Sequence, residues 1–322
     1  MFDIIVVGSA TQDVFLQSTR FTARKDATSE TGKSEVFPLG SKLEVEKIAI
    51  ASGGGGTNAA VTFGRQGINS ALVAVVGDDV IGREIIDEMK REGVQTDFIQ
   101  KHGDDLTAYS VILVDKSGER TILSYKGEGQ HFAVANVPFE KLQAKWMYLD
   151  SLGGHYDLFE ALVNHAVKND IKIASNPGGK ELAHGLKKLK PLLKHMDIFI
   201  ANKEEAAALF GSEDPRTYVK GIISISDGPK GVTVTDSEEK TYKAGIPDSP
   251  VVERTGAGDA FGSGFVSEYI RNKEKDVSNK ECIEKAIQFG TANASSVVTQ
   301  FGAKAGILKK GDWGPWPLVE VF

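Results

Sequence analysis

Cysteine is almost missing from this chain: Cys282 is the sole one, so neither an intramolecular disulfide nor a cysteine-based zinc site can form. That suits a reducing cytoplasm. The six histidines show no metal-ligand spacing. Long hydrophobic runs are absent as well. None reaches the roughly 18 residues that argue a membrane span, and the opening Phe2-Asp3-Ile4-Ile5-Val6-Val7-Gly8 carries neither a basic leader nor a cleavage site. Nor is there an excess of positive charge. With 38 Lys and Arg against 44 Asp and Glu the formal charge is −6, and the basic residues are scattered, which disfavours nucleic acid and anionic membranes as partners. A Walker A loop is lacking too. Gly32-Lys33-Ser34 ends like one, but Ala27 stands where its first glycine belongs and no buried strand precedes it, so the segment reads as a surface turn.

What is present is an ordinary globular composition, 41% apolar and 25% charged. Length alone leaves one or two domains open. Short β-branched runs at 4–7, 71–76, 146–149, 171–174, 198–200 and 222–225 read as buried strands. Between them, amphipathic stretches at 57–65, 82–92, 158–169, 203–210, 260–270 and 280–298 read as helices. This alternation predicts an α/β fold around a largely parallel sheet. Two regions break it. Residues 14–50, where Leu43, Val45 and Ile48 interleave with Glu44, Glu46 and Lys47, and residues 107–125, a hairpin turning at 116–119, read as half-exposed antiparallel strands. Paired into a small separate sheet they would form a lid that excludes water. The tail at 311–317 is turn-rich, and its Trp313 and Trp316 are expected to pack on the body.

Chemistry concentrates where small residues lead into helices. In Arg254-Thr255-Gly256-Ala257-Gly258-Asp259-Ala260-Phe261 the start of a helix is stripped of side chains, so its bare amides and dipole form an anion site. Asp259 stands in the first turn. A carboxylate repels a bound phosphate, so its presence makes sense if it takes the proton from a hydroxyl that attacks the phosphate. A helix-start carboxylate with glycines for close packing is the plain structural alternative. Ser52-Gly53-Gly54-Gly55-Gly56-Thr57-Asn58 is entropically costly in the same way, which suits a ligand touching main chain. The segment also fits the dinucleotide fingerprint loosely, as Gly54-x-Gly56-x-x-Ala59 with Asp78 and Asp79 downstream, which keeps an NAD(P)-dependent oxidoreductase as a rival. Asn202 and Glu205, three apart where a strand meets a helix, suit the water shell of Mg²⁺ or, equally, a helix cap. The turn Ser226-Asp227-Gly228-Pro229-Lys230-Gly231 either borders a nucleotide or simply joins two strands.

In this order and combination, from Asp13 to Gly302-Ala303, the residues resemble the ribokinase-like carbohydrate kinase family, also called the phosphofructokinase-B family. The resemblance implies a three-layer α/β/α Rossmann-like sandwich with a small β-sheet lid, here one domain over 1–322 with a lid from about 14–50 and 107–125. It implies ATP and Mg²⁺ as cofactors. By resemblance Asp13, Gly54, Gly55 and Asn58 bind substrate, Gly256, Ala257 and Gly258 form the anion hole, and Asp259 is the base. Asn202, Glu205, Ser226, Gly228 and Gly231 match the nucleotide side, with Glu205 reaching Mg²⁺ through water. The family's Asp-Thr-x-Gly-Ala-Gly-Asp reads Glu253-Arg254-Thr255 here, so a K⁺ site at Glu253 and Thr255 departs from the pattern. Ribokinases carry Lys where Gly55 stands and a Glu near 152–154, where none is found. The expected activity is transfer of the ATP γ-phosphate to a hydroxyl of a small sugar (ribose, a fructose-like sugar or a keto-deoxy sugar acid), or of an adenosine-like nucleoside. A homodimer formed through the lid and a non-enzymatic sugar-binding relative are further expectations to weigh.

Overall fold

The computed structural model describes residues 1–29, 32–115, 120–275 and 277–322. In chain order these form β1 (Phe2–Val7), β2 (Thr11–Gln17), β3 (Ala23–Lys25), β4 (Lys33–Glu35), β5 (Lys47–Gly53), α1 (Gly55–Arg65), β6 (Ser70–Gly77) and α2 (Val80–Arg91). Then come β7 (Ile99–His102), β8 (Tyr109–Val114), β9 (Arg120–Tyr125), β10 (Ala144–Leu149), α3 (Tyr156–Lys168), β11 (Lys172–Ser175), α4 (Gly179–Leu182) and α5 (Leu186–Leu193). The last third holds β12 (Ile198–Asn202), α6 (Lys203–Phe210), β13 (Ile222–Ser226), β14 (Val232–Thr235), β15 (Thr241–Ala244), α7 (Ala257–Lys273) and α8 (Asn279–Val297). Among the described residues no helix is long and apolar enough to cross a membrane.

Nine strands build the main sheet in the order β15-β14-β13-β12-β11-β10-β1-β6-β7. It is parallel from β7 to β13; β14 and β15 extend it antiparallel. Alternation along β1 shows why helices cover both faces. Ile4 and Val6 point into one apolar core with Phe63 of α1, Phe265 of α7 and Ile287 of α8, while Ile5 and Val7 point into another with Leu162 of α3, Leu189 of α5 and Leu209 of α6. A parallel strand buried on both sides reads as a continuous apolar run, which is why these strands stand out in the sequence. The result is the expected three-layer sandwich.

Regions 14–50 and 107–125 do pair into a separate sheet, ordered β5-β2-β8-β9. Two details differ from expectation. The alternating stretch at 43–46 is irregular, because Glu46 is used to hold the turn after β2, accepting from Thr19 N and Oγ1 at 2.7 Å each. Lys33 and Ser34 are not in a turn but in β4, which pairs with β3. The turn expected at 116–119 lies outside the described residues. In the tail, Trp313 packs edge-on against Phe289 with ring centroids 5.2 Å apart, while Trp316 is half-buried.

Candidate active site

Parallel strands deliver their following loops to one edge of the sheet, and in such folds ligands bind outside the carboxyl ends of the strands. At that edge β1 leads into Gly8, β10 into Asp150, β12 ends at Asn202 and β13 at Ser226. Both helices whose starts were singled out, α1 and α7, begin there. They pack side by side, and at their starts Asn58 Nδ2 donates to Asp259 Oδ2 at 2.7 Å. Residues 201 positions apart thus share one point, with Asn58 Oδ1 buried and without a partner among the described residues.

The four glycines at the start of α1 have a definite steric cause. A Cβ on Gly53 would lie 1.8 Å from Asp13 Oδ2, on Gly54 2.5 Å from Ser9 O, on Gly55 1.8 Å from Asp150 Oδ1, and on Gly56 2.5 Å from the Gly8 carbonyl carbon. Gly54 also caps α1 at φ 91°, in the region that favours glycine. The run therefore lets two carboxylates of the protein itself, Asp13 and Asp150, lie against main chain. Loose dinucleotide spacing arises from the same packing: Gly56 exists to meet Gly8, and β5 ahead of it belongs to the small sheet.

Asp150 is the residue that sequence reasoning missed. It follows β10, two positions before the 152–154 region where the glutamate of ribokinases was not found, and it is 3% exposed. Oδ1 accepts from Ser151 N at 2.7 Å; Oδ2 is buried without a partner among the described residues. Burial first, then the charge of Asp259, pushes this carboxyl well above the usual range. No sequence period marks a lone Asp after a strand; only the missing Cβ of Gly55 betrays it.

Asp259 sits in the first turn of α7, half-buried. Burial raises its carboxyl above the ordinary value, opposed by the Asn58 hydrogen bond and by the positive charge of Lys304. Burial likewise raises Asp13, opposed by Lys304 and Ser110 and reinforced by Glu253 and Asp259. At the helix start, Gly256 is left-handed at φ 79°, and a Cβ there would meet Ala303 Cβ at 2.4 Å. Gly258 differs: nothing among the described residues packs within 4 Å of where its Cβ would be. Packing does not require glycine at this position, so an open face is left beside the first amides of α7, which lack intrahelical partners.

Glu253 is buried, its Oε1 accepting from Thr255 N, while Oε2 and Thr255 Oγ1 are both buried without partners among the described residues. Two orphaned hard oxygens, one of them anionic, fit a monovalent cation. Asn202 and Glu205 form a reciprocal capping box for α6: Asn202 Oδ1 accepts from Glu205 N at 2.8 Å and Glu205 Oε2 from Asn202 N at 2.9 Å. Glu205 Oε1 takes no part in it. Burial, then the charge of Asp259, raises Glu205, so the pair lies within electrostatic reach of the base. One carboxylate oxygen is enough for Mg²⁺, which keeps several waters and binds mainly through substrate phosphates. Among the described residues no group of three or more His, Cys, Asp or Glu forms a protein cage.

Ser226 pairs with Asn202 across β12 and β13, and the residues after it form a short 3-10 turn, Gly228–Lys230. Lys203 reaches across to Asp227 at 2.9 Å. Beside this turn a cleft of 300 Å³ is lined by Asp227, Lys230, Gly231, Thr233, Lys243 and Phe322, among others. The structure thus gathers Asp13, Asn58, Asp150, Glu253 and Asp259 into one cluster, with Glu205 beside it and Ser226, Gly228 and Gly231 one strand further out.

The fold is of the doubly wound α/β class, and comparison with known proteins gives the family. The pfkB family carbohydrate kinase model matches residues 1–310. Ribokinase of Haemophilus influenzae is 30% identical over 282 residues, covering 83% of this chain and 88% of that protein. Ribokinase of Giardia lamblia superposes with a TM-score of 0.76 at 20% identity, covering 96% of each chain. A nucleoside kinase of Methanocaldococcus jannaschii, an archaeal member of the ribokinase family, gives 0.74 at 21%, covering 95% of each. The chain belongs to the pfkB family of carbohydrate kinases. It is a sugar kinase of the ribokinase type, a phosphotransferase with an alcohol group as acceptor.

Proposed function

We propose that this enzyme transfers the γ-phosphate of ATP to a hydroxyl of a small sugar, with Asp259 as the base. One observation carries the reading: a carboxylate stands in the first turn of α7 beside an open backbone face, oriented by Asn58 at 2.7 Å. Asp259 accepts the hydroxyl proton as the oxygen attacks. The first amides of α7 then stabilise the charge that develops on the group in transit. Asp13 and Asn58 Oδ1 accept hydrogen bonds from the other sugar hydroxyls, which turns the sugar toward Asp259. ATP would lie along the ends of β12 and β13, by Glu205 and the Ser226–Gly231 turn. Mg²⁺, held through water by Glu205, would neutralise phosphate charge, and Glu253 and Thr255 would hold K⁺, whose charge would favour an anion nearby. A cytoplasmic setting, where ATP is plentiful and a buried thiol stays reduced, suits this chemistry.

The small sheet acts as the lid of a single kinase domain. It carries Asp13 on the face toward the glycine run, with Phe15 and Ile112 along the same face. Its opposite face aligns Leu16 with Ile48, and Val14 with Ile50, Val111 and Leu123. Ile48, Ile50 and Leu123 are exposed there, an apolar strip of the sort that marks an interface. A second copy of the chain covers it in this reading. Ile50→Glu should turn a dimer into a monomer in sedimentation velocity; a wild type that sediments as a monomer contradicts the dimer.

The substrate test is a panel of sugars and nucleosides assayed for ADP release, with 31P NMR of the product. The reading predicts the highest kcat/KM on a pentose, a hexose or a sugar acid. A nucleoside as the best acceptor would replace the sugar but leave Asp259 in place.

A further inference from the structure

Lys304 lies in the loop after α8, in a segment whose part in the site was not anticipated. Its side chain is 3% exposed, and a lysine is almost never so buried unless paired. The residues around it form a strut between the two glycine-rich segments. A Cβ on Gly302 would touch Ala51 Cβ at 3.3 Å, and Ala303 occupies the space beside Gly256. Lys304 Nζ donates to the Ser52 carbonyl at 2.6 Å, directly ahead of the glycine run. Arg65 of α1 fixes the strut from outside, with Nη1 donating to the carbonyls of Lys304 at 2.8 Å and Ile307 at 2.9 Å. Glu92 holds Arg65 in turn, at 2.6 Å.

Charges reach this ammonium from four elements. Glu88 of α2, Asp13 of β2 and Asp259 of α7 attract it, whereas Arg65 of α1 repels it. Glu92 also feels it, and Glu253 acts on Asp13 from the other side. The two carboxylates that matter for transfer therefore share one buried cation. Together they face a third negative group, the incoming phosphate. We propose that Lys304 is a positioning residue for phosphoryl transfer: its ammonium offsets the charge of Asp13 and Asp259, and its hydrogen bond to Ser52 fixes the glycine run that leads to Asn58. This inference rests on the reading of Asp259 as the base.

A nearby opposite charge typically lowers a carboxyl pKa by about 1–3 units, so losing it makes Asp259 harder to ionise. Burial pulls Lys304 itself down to about 8. It is charged at neutral pH and neutral in mildly alkaline solution. Two limbs of the pH profile of kcat/KM, which reports the free enzyme, should then depend on this residue.

The experiment compares wild type, Lys304→Met, Lys304→Gln and Lys304→Arg on the best sugar from pH 5 to 10, with ATP affinity by calorimetry. Gln keeps an N–H for Ser52 and discards the charge. Met and Gln should both move the acid limb up by about 1 pH unit, so that kcat/KM at a pH on that limb falls by about tenfold, while ATP affinity stays within twofold. Arg should restore the acid limb. The wild type should lose activity as pH rises through about 8, and Arg should not. Profiles of Met and Gln that keep the wild-type shape, lowered or not, overturn the inference, as does a wild-type alkaline limb that stays flat. If Met does not fold, Gln and the wild-type alkaline limb carry the test. Asp259→Asn run alongside separates the two claims. Near-wild-type turnover there overturns the base and this inference together; a silent Asp259→Asn with an unshifted Gln profile overturns the inference alone.

Discussion

Gly258→Ala separates what the fold needs from what the ligand needs. Among the described residues nothing packs within 4 Å of the added methyl, and the residue is in the first turn of α7. Replacing glycine by alanine in a helix gains about 0.5–1 kcal/mol. For a chain of this size that corresponds to a Tm higher by roughly 1–2 °C. If a phosphate approaches the bare backbone here, the same methyl holds it off the amides. Losing one such donor costs about 10² to 10³ in rate, so kcat/KM should fall by about 100-fold in a variant that is no less stable. Scanning calorimetry and a coupled ADP assay on one preparation give both numbers. An unchanged kcat/KM would refute phosphate approach at Gly258. A fall in Tm alongside activity would show that packing, not ligand, selects the glycine.

Two further outcomes follow. Asn58→Ala removes a hydrogen bond to a carboxylate, about 1.5–3 kcal/mol or roughly 10- to 150-fold in kcat/KM. Because that bond lowers Asp259 and the base works ionised, its loss raises the carboxyl, so the acid limb of kcat/KM should shift to higher pH; a limb that stays or falls counts against the pairing. If the small sheet is a lid, amide hydrogen exchange in β5, β8 and β9 should slow when a turned-over sugar is bound. Equal exchange with and without sugar argues instead for a fixed interface.

Much of the fold was legible because parallel strands covered on both faces leave runs such as Ile4–Val7 that nothing else imitates. Elements without such a signal were lost. The antiparallel extension β14–β15 has polar residues on alternate positions, and α4 and α5 are short and are capped by Gly178 and Gly185. In the site, Asp259 and Asn58 were visible because each sits in a small-residue helix start with a clear chemical cost. Their mutual hydrogen bond, across 201 positions, was not. Asp150 and Lys304 carried no local signal at all. Each is an ordinary charged residue in a loop, and only burial against the glycine segments makes it unusual. The glycines themselves were read as making room for a ligand, whereas most of them make room for Asp13, Asp150 and the β1 loop.

Asp259→Asn tests the central claim most directly, because the amide keeps the size of the side chain but cannot accept a hydroxyl proton at neutral pH. Sugar and ATP binding are measured by calorimetry, and transfer by single-turnover quench with the best acceptor. Binding of both ligands should stay within a few fold while the transfer rate falls by about 10² to 10⁴. Transfer at close to the wild-type rate would contradict the assignment of Asp259 as the base.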